Sequence, residues 1–478
     1  MTVATFGIGR GLALVCALAL HLSVALPARG QSDDARGDRA RLAHGPGSKH
    51  SRTPVDAGPV GPPDARLPTI TLEALLKRAN QDPPTVLRAR ASFRSAQADL
   101  DYAQGQWFPA LLANGSYGYA YDNRVVLPGV PRIDSESLEA RGSVGLEWSV
   151  IDGARGARID QAKASLRAAS HTLRSTRQLA MLAAAELFFE ARAAREFVLD
   201  AQLSLSRRSQ QYKATVELVE AGTRSPVDAQ RAEIEVTSTQ YALELRQSEE
   251  HAVLAALAAA IGRGPTELVR PAAGARVAPS EATSPSAARA LAQAQHPEVS
   301  MMEARLATAR EAHDVALAER APTVGVSASA SMSYLDVRRG AGISGHQFGA
   351  VVSAFVRFAG FDPAVWMKAD ATGPKVAEAE RARAELFHRV GAEAVRAYYA
   401  VERARIEQRR AEAMLESAHK ARAAQKGRYL AGMSSLLELL DAEDLEQRAR
   451  SRRIAAKRDA AISVMRLLAA CGQLQDAG

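Results

Sequence analysis

The chain has 478 residues, of which 5% are aromatic and 24% charged, with a formal net charge of +8. This Ala- and Arg-rich composition resembles long helices or coiled coils. The arginine runs carry no interleaved aromatics, which argues against base stacking and nucleic acid. Two cysteines, Cys16 and Cys471, lie at opposite ends of the chain, so no intramolecular disulfide framework is expected.

Residues 1–28 read as a secretory signal peptide. Arg10 supplies the positive charge, residues 11–25 the apolar core, and Ala25 or Ala28 a small residue for cleavage. Residues 29–66 follow, rich in Asp, Arg, Gly, Pro and Ser and almost free of large apolar side chains. They read as a disordered linker. His44 and His50 sit there without a ligand-like setting.

From residue 67 the chain runs twice through one plan. Pro84 corresponds to Pro297, Pro109 to Pro322, Asp152 to Asp362, Gly222 to Gly432 and Gly262 to Gly472, in order and at nearly constant offset. That pattern predicts a duplication, with repeats at 67–264 and 286–478 and a Pro/Gly-rich connector at 265–285. Each repeat begins with a helix, predicted at 85–103 and 298–321. A β-hairpin follows, at 113–150 and 323–358. In the second hairpin Val324, Val326, Ala328, Ala330, Met332 and Tyr334 alternate with Gly325 and Ser327, Ser329, Ser331 and Ser333. Successive strand residues point to opposite faces, so one face is apolar and the other small and polar. The same alternation runs through Val144, Leu146, Trp148 and Val150. It is the sequence signature of a strand with lipid on one side and a wet lumen on the other.

A long helix then extends over 157–221 without Gly or Pro, and over 375–426 interrupted only by Gly391. Return helices are predicted at 227–261 and 433–471. Four strands per chain cannot close a spanning barrel, and an open sheet edge is prohibitive in lipid, so several chains would have to pool their strands.

Two turn motifs link the long and return helices: E-A-G-T-R-S-P-V-D-A at 220–229 and Y-L-A-G-M-S-S-L-L-E-L-L-D-A at 429–442. S-V-I-D-G at 149–153 and F-D-P at 361–363 follow the second strand of each copy. With the leader and the duplicated plan, these make residues 67–478 resemble the TolC-like outer-membrane efflux proteins. The resemblance implies a mainly α fold with a small β part. Long antiparallel helical hairpins would form a tunnel through the periplasm. Four transmembrane strands per chain would pool into a 12-stranded barrel in a homotrimer in the outer membrane.

It also implies a passive exit duct of a tripartite efflux or type I secretion system. The partners would be a periplasmic adaptor and, indirectly, an inner-membrane pump. Gly222, Thr223, Arg224 and Ser225, with Gly432, Met433, Ser434 and Ser435, would be the adaptor-contact tips. Tyr429, Glu438 and Asp441 would form the periplasmic gate, the two carboxylates three residues apart on one helix face. Ser434 stands where the family often has a basic residue, and the first copy has Asp228 and Arg231 in place of the acidic pair.

No zinc-protease, nucleophile-elbow, phosphate-loop or dinucleotide motif occurs. The expectation is therefore no enzyme, no cofactor and no metal. The alternative readings are a periplasmic adaptor or structural coiled-coil protein, and an exported polyanion-binding protein.

Overall fold

The computed structural model describes residues 67–124, 133–264, 266–274, 280–339 and 344–474. The signal-peptide and linker readings over 1–66 lie outside these residues. So do Cys16, the tip of the first hairpin at 125–132 and part of the connector.

The first half opens with β1 (Thr69–Ile70), α1 (Leu72–Ala79) and α2 (Pro84–Gly105), then the hairpin β2 (Ala110–Arg124) and β3 (Ile133–Asp152). Helix α3 (Arg155–Glu220) and the return helix α4 (Pro226–Ala260) complete it. β4 (Arg270–Pro271) pairs in parallel with β1 and straps the connector to the start of the half. The second half repeats the order with α5 (Pro285–Gln295), α6 (Pro297–Ala318), β5 (Thr323–Arg339), β6 (Ser344–Arg357), α7 (Pro363–Leu430) and α8 (Leu436–Ala470). At ~1.5 Å per residue, α3 and α7 each extend on the order of 100 Å. No helix among the described residues is long and apolar enough to cross a membrane.

Several bounds differ from the sequence expectation. The first hairpin runs from Ala110 to Asp152, beyond the predicted 113–150, whereas the second, Thr323 to Arg357, matches the predicted 323–358 within a residue. Helix α7 begins at Pro363, twelve residues before the predicted 375, and passes through Pro374. A proline in a helix forfeits one backbone bond. Neighbours hold the segment in place: Lys368 pairs with Glu319 at 2.5 Å, and Thr372 Oγ1 lies 2.8 Å from His313 Nδ1 on α6. Gly391 does not interrupt the helix either. A Cβ there would meet Gln293 Nε2 at 3.0 Å and Arg289 Cγ at 3.2 Å, so the missing side chain lets α5 lie close.

The four long strands form one antiparallel sheet in the order β2-β3-β5-β6. Residues opposite one another in such a pair share a face. Leu111 faces Leu146, which faces Ala328, which faces Val352. Ala113, Val144, Ala330 and Ala350 line up likewise, and Trp148, Val326 and Ala354 form a further row. One face is thus apolar across all four strands. The other carries Ser143, Ser327, Ser353, Arg141 and Glu139, with Leu112, Leu335, Val337, Val351 and Phe355 as exceptions. Nothing among the described residues covers the apolar face, and Val352 is 77% exposed.

Two apolar cores sit where the helices of each half converge. The first joins Leu75 and Leu76 of α1, Phe188 and Phe189 of α3, Leu254 and Leu257 of α4, and Met465 of α8. The second joins Ala288 and Ala292 of α5, Leu386, Val390 and Val401 of α7, and Leu467 and Cys471 at the end of α8. Away from these cores the long helices are held by pairwise seams.

Candidate functional site: the helical tips

The two helix-to-helix turns adopt one geometry. Gly222 and Gly432 have φ of 72° and 73°, a left-handed conformation that favours glycine. Thr223 N donates to Leu218 O at 3.0 Å, and Met433 N to Arg428 O at 2.9 Å, closing each preceding helix in the same way. Ser225 Oγ then accepts from Val227 N, and Ser435 Oγ from Glu438 N, both at 3.3 Å, capping the return helices.

The turns differ in what they carry. Tyr429 is 2% exposed and packs against Leu436, Leu439 and Leu440, with Leu218 of α3 alongside. The Arg224 guanidinium, from the other turn, lies 4.6 Å from the centre of its ring. Arg224 Nη2 donates to Tyr429 O at 3.2 Å and to Ser434 O at 3.4 Å. A cation over an aromatic face, bonded also to two carbonyls, ties the first tip to the second. The cation beside Ser434 therefore arrives from the first half. Tyr429 Oη and Ser434 Oγ are buried and find no partner among the described residues.

Glu438 and Asp441 are both exposed on α8. Glu438 accepts from Gln425 Nε2 of α7 at 2.8 Å. The two carboxylates share a helix face but do not contact Tyr429. Thr223 Oγ1 folds back to donate to Leu218 O at 2.8 Å, whereas Met433 is exposed.

Beyond the tip, a ladder of ion pairs runs along the seam between α3 and α8. Arg208 donates to Glu443 at 2.8 Å and to Asp444 at 2.7 Å. Glu446, nearly fully buried, lies against four cationic or titratable groups: Arg422 at 2.9 Å, His419 at 3.1 Å, Arg207 at 3.7 Å, and Arg450 in direct contact. Arg450 also reaches Asp200 at 3.6 Å, and Gln447 donates to Asp200 at 2.8 Å. Higher up, Lys457 pairs with Glu196 and Arg466 with Glu186.

Burial pushes the carboxyls of Asp200 and Glu443 up. Burial acts the same way on Glu446, but hydrogen bonds from His419 and Arg450 and the charges of Arg450 and Arg422 outweigh it and hold that carboxyl below its ordinary value. Sequence reading missed this ladder. On α8 it shows only as acids and bases at helical spacing, and the partners on α3 lie more than 230 residues earlier. No cluster of metal-ligating side chains occurs among the described residues.

Long paired helical hairpins end in two capped turns, and at their other end four strands form one sheet with one apolar face. The sequence model of the outer membrane efflux protein family matches residues 75–263 and again 288–473, and the chain belongs to that family. Its members are outer-membrane channels, and the chain is not an enzyme.

Protein CyaE of Bordetella pertussis is 28% identical over 325 residues, a match covering 66% of this chain and 65% of CyaE. The chain thus spans slightly less than two thirds of that relative. Among solved structures, the outer-membrane channel OprN superposes with a TM-score of 0.65 at 19% identity, covering 85% of this chain and 90% of OprN. The CmeC channel of Campylobacter jejuni gives 0.66 at 15%, covering 84% and 85%. VceC of Vibrio cholerae gives 0.63 at 17%, covering 84% and 96%. At these identities the structural likeness speaks for the fold.

Proposed function

We propose that the chain is the outer-membrane exit duct of a tripartite efflux or type I secretion system. Three copies pool twelve strands into a barrel, and the helices of both halves form a periplasmic tunnel. The observation that carries this reading is the sheet: its apolar face is continuous across four strands, while β2 and β6 each keep an outer edge unpaired among the described residues. In a bilayer each unpaired backbone group costs several kcal/mol, so edge must meet edge between copies. The export signal at 1–28 and the linker at 29–66 belong to the same reading, as do two repeats joined by the connector at 265–285.

At the far end, Tyr429, Glu438 and Asp441 form the gate. Threefold symmetry brings six carboxylates of Glu438 and Asp441 towards the axis, a ring that favours cations over anions. The turns Gly222–Ser225 and Gly432–Ser435 meet a periplasmic adaptor, whose docking draws the tips apart. The Arg224–Tyr429 contact is then the tie that opening must release.

Two measurements test the reading. The protein should fractionate with outer membranes and run unheated as a trimer; a soluble monomer sinks the duct. In planar bilayers, Arg224→Ala and Tyr429→Ala should raise the resting conductance several-fold, whereas Arg224→Lys should leave it nearer the parent. Parent-like conductance in both alanine variants removes the gate assignment while leaving the duct in place.

A further inference from the structure

Between the tips and the cores the helices lie side by side in the order α4, α3, α8, α7: α3 packs on α4 and on α8, and α8 packs on α7. Helices α4 and α7 are thus the two flanks, and each exposes one long side. Every seventh residue of a helix returns to nearly the same face. On the side away from buried Ala232 and Leu254, α4 carries Val227, Ile234 and Tyr241, joined by Leu245 one turn on. All four are exposed, Tyr241 to 69%. Towards the sheet the same side turns small, with exposed Ala252 and Ala259. Helix α7 has the reverse order. On the side away from buried Ala404 and Ala411, Tyr399 and Ile406 stand out nearer the sheet. Exposed Ala413, Ser417 and Ala424 follow towards the tip.

Contacts within the chain set the two flanks on one scale. The turns put the start of α4 and the end of α7 at the same level, tied by Arg224 and Tyr429. Further up, Arg246 of α4 lies over the ring of Phe197 on α3. The next residue, Glu196, lines one groove with Lys457 of α8 and Gln408 of α7. Helices α4 and α7 run in opposite directions, so each residue up α4 answers one residue down α7. To within about one turn, Ile234 is then level with Ala424, Tyr241 with Ser417, and Leu245 with Ala413. Past Leu245 the roles exchange: Ala252 is level with Ile406 and Ala259 with Tyr399. Each large side chain on one flank has a small one at its height on the other.

Charge divides the same way. Glu233 and Glu244 border the stripe on α4, whereas Arg403, Arg409 and Arg410 border that on α7. None of these five has an ion-pair partner among the described residues. Glu244 stands within about a turn of the level of Arg409 and Arg410.

We propose that the α4 flank of one copy docks on the α7 flank of the next, and that the exchange of large for small side chains sets the register between copies. The proposal rests on the reading that copies pool around one axis. It adds which sides meet, at what height, and what directs them. Docking of unlike flanks closes a ring, whereas docking of like flanks makes a two-fold pair. Like flanks bring acid to acid or arginine to arginine, so unpaired charge selects the ring. A slide along the seam sets large residues against large ones, so packing selects the height.

The test uses full-length protein in outer membranes, with paired cysteines and a short bifunctional thiol crosslinker. Ile234→Cys with Ala424→Cys, and Ala252→Cys with Ile406→Cys, are the matched pairs. Ile234→Cys with Ile406→Cys is a shifted pair, its sites roughly 27 Å apart along the helices. Each matched pair should link copies about tenfold more than its single variants or the shifted pair. All these sites are exposed in the single chain, so the substitutions leave its fold intact. Adding Arg409→Glu and Arg410→Glu to a matched pair should lower the yield several-fold, and Glu233→Arg with Glu244→Arg should restore part of it. An unheated trimer in which the matched pairs stay unlinked, or link no better than the shifted pair, overturns the seam and leaves the duct standing. Linking of Ile234→Cys alone assigns that flank to a two-fold contact and also overturns it. A monomer removes the duct and the seam together.

Discussion

At Glu446 the seam between the two halves buries a carboxylate among Arg207, Arg422 and Arg450. Replacing it by Gln keeps the shape and most hydrogen bonding but deletes the negative charge facing Arg207, Arg422 and Arg450. Removing one member of a buried ion pair typically costs about 3–5 kcal/mol, because the remaining charge loses both its partner and its water. Two features discount that range. Arg450 keeps Asp200 at 3.6 Å, and the Arg207 side chain is a third exposed. Glu446→Gln is therefore expected near the lower end, about 3 kcal/mol. The measurement is the shift in unfolding midpoint, followed by helical circular dichroism in detergent.

A surface control sets the scale. Asp160→Asn removes the exposed Lys163 pair and should change stability by under about 0.5 kcal/mol. A second variant guards against a trivial loss of fold: adding Arg422→Gln to Glu446→Gln removes one stranded cation and should recover part of the loss. If Glu446→Gln matches the surface control, the picture of a charge-balanced seam is wrong.

Acid should act on the same carboxylate. The folded value of Glu446 lies below the ordinary 4.5, so the unfolded chain binds more protons between the two. Its contribution is full above 4.5 and is lost as pH falls through the folded value. Glu446→Gln should therefore flatten the acid limb of a stability profile. Glu443 is raised above 4.5 by burial, so it favours the folded chain at low pH and loses that contribution as pH rises through its folded value. Glu443→Gln should therefore remove from the same profile the loss of stability that sets in as pH rises from 4.5 through that folded value. Gly432→Ala meets no atom within 4 Å but must hold a φ of 73°. The expected cost is about 1–2 kcal/mol from the backbone alone, with Gly432→Asn milder, read by the same melt. Burial pushes the Cys471 thiol to about 11. Thiol reagents at mildly alkaline pH should leave it untouched in the folded protein and modify it fully in denaturant; rapid labelling of the native chain would refute its burial.

The elements with one dominant period were legible from sequence. Serine alternating with valine and alanine placed β5, and some sixty residues without Gly or Pro placed α3. Legibility failed where a local rule met a tertiary contact. Pro374 reads as a helix breaker, yet α7 runs through it under the grip of α6. Strands β2 and β3 extend past their apolar cores because backbone pairing continues after the side chains turn small or charged. The short pieces β1, β4, α1 and α5 lack the length to announce themselves.

At the tips, the turn glycines and capping serines declared themselves locally. Arg224 reads as a residue of the adaptor-contact tip, and the structure adds a second contact, its guanidinium over Tyr429. That contact joins positions about 200 residues apart, and no local pattern carries it. The seam around Glu446 was illegible for the same reason.

The shared turn geometry with unshared contents has an evolutionary consequence. Because both halves sit on one polypeptide, the guanidinium could be placed on one and the aromatic ring on the other, with neither half keeping both. Each has become the other's obligatory complement, like two parts of a clasp. Duplicating either half alone would supply two rings without a cation, or two cations without a ring.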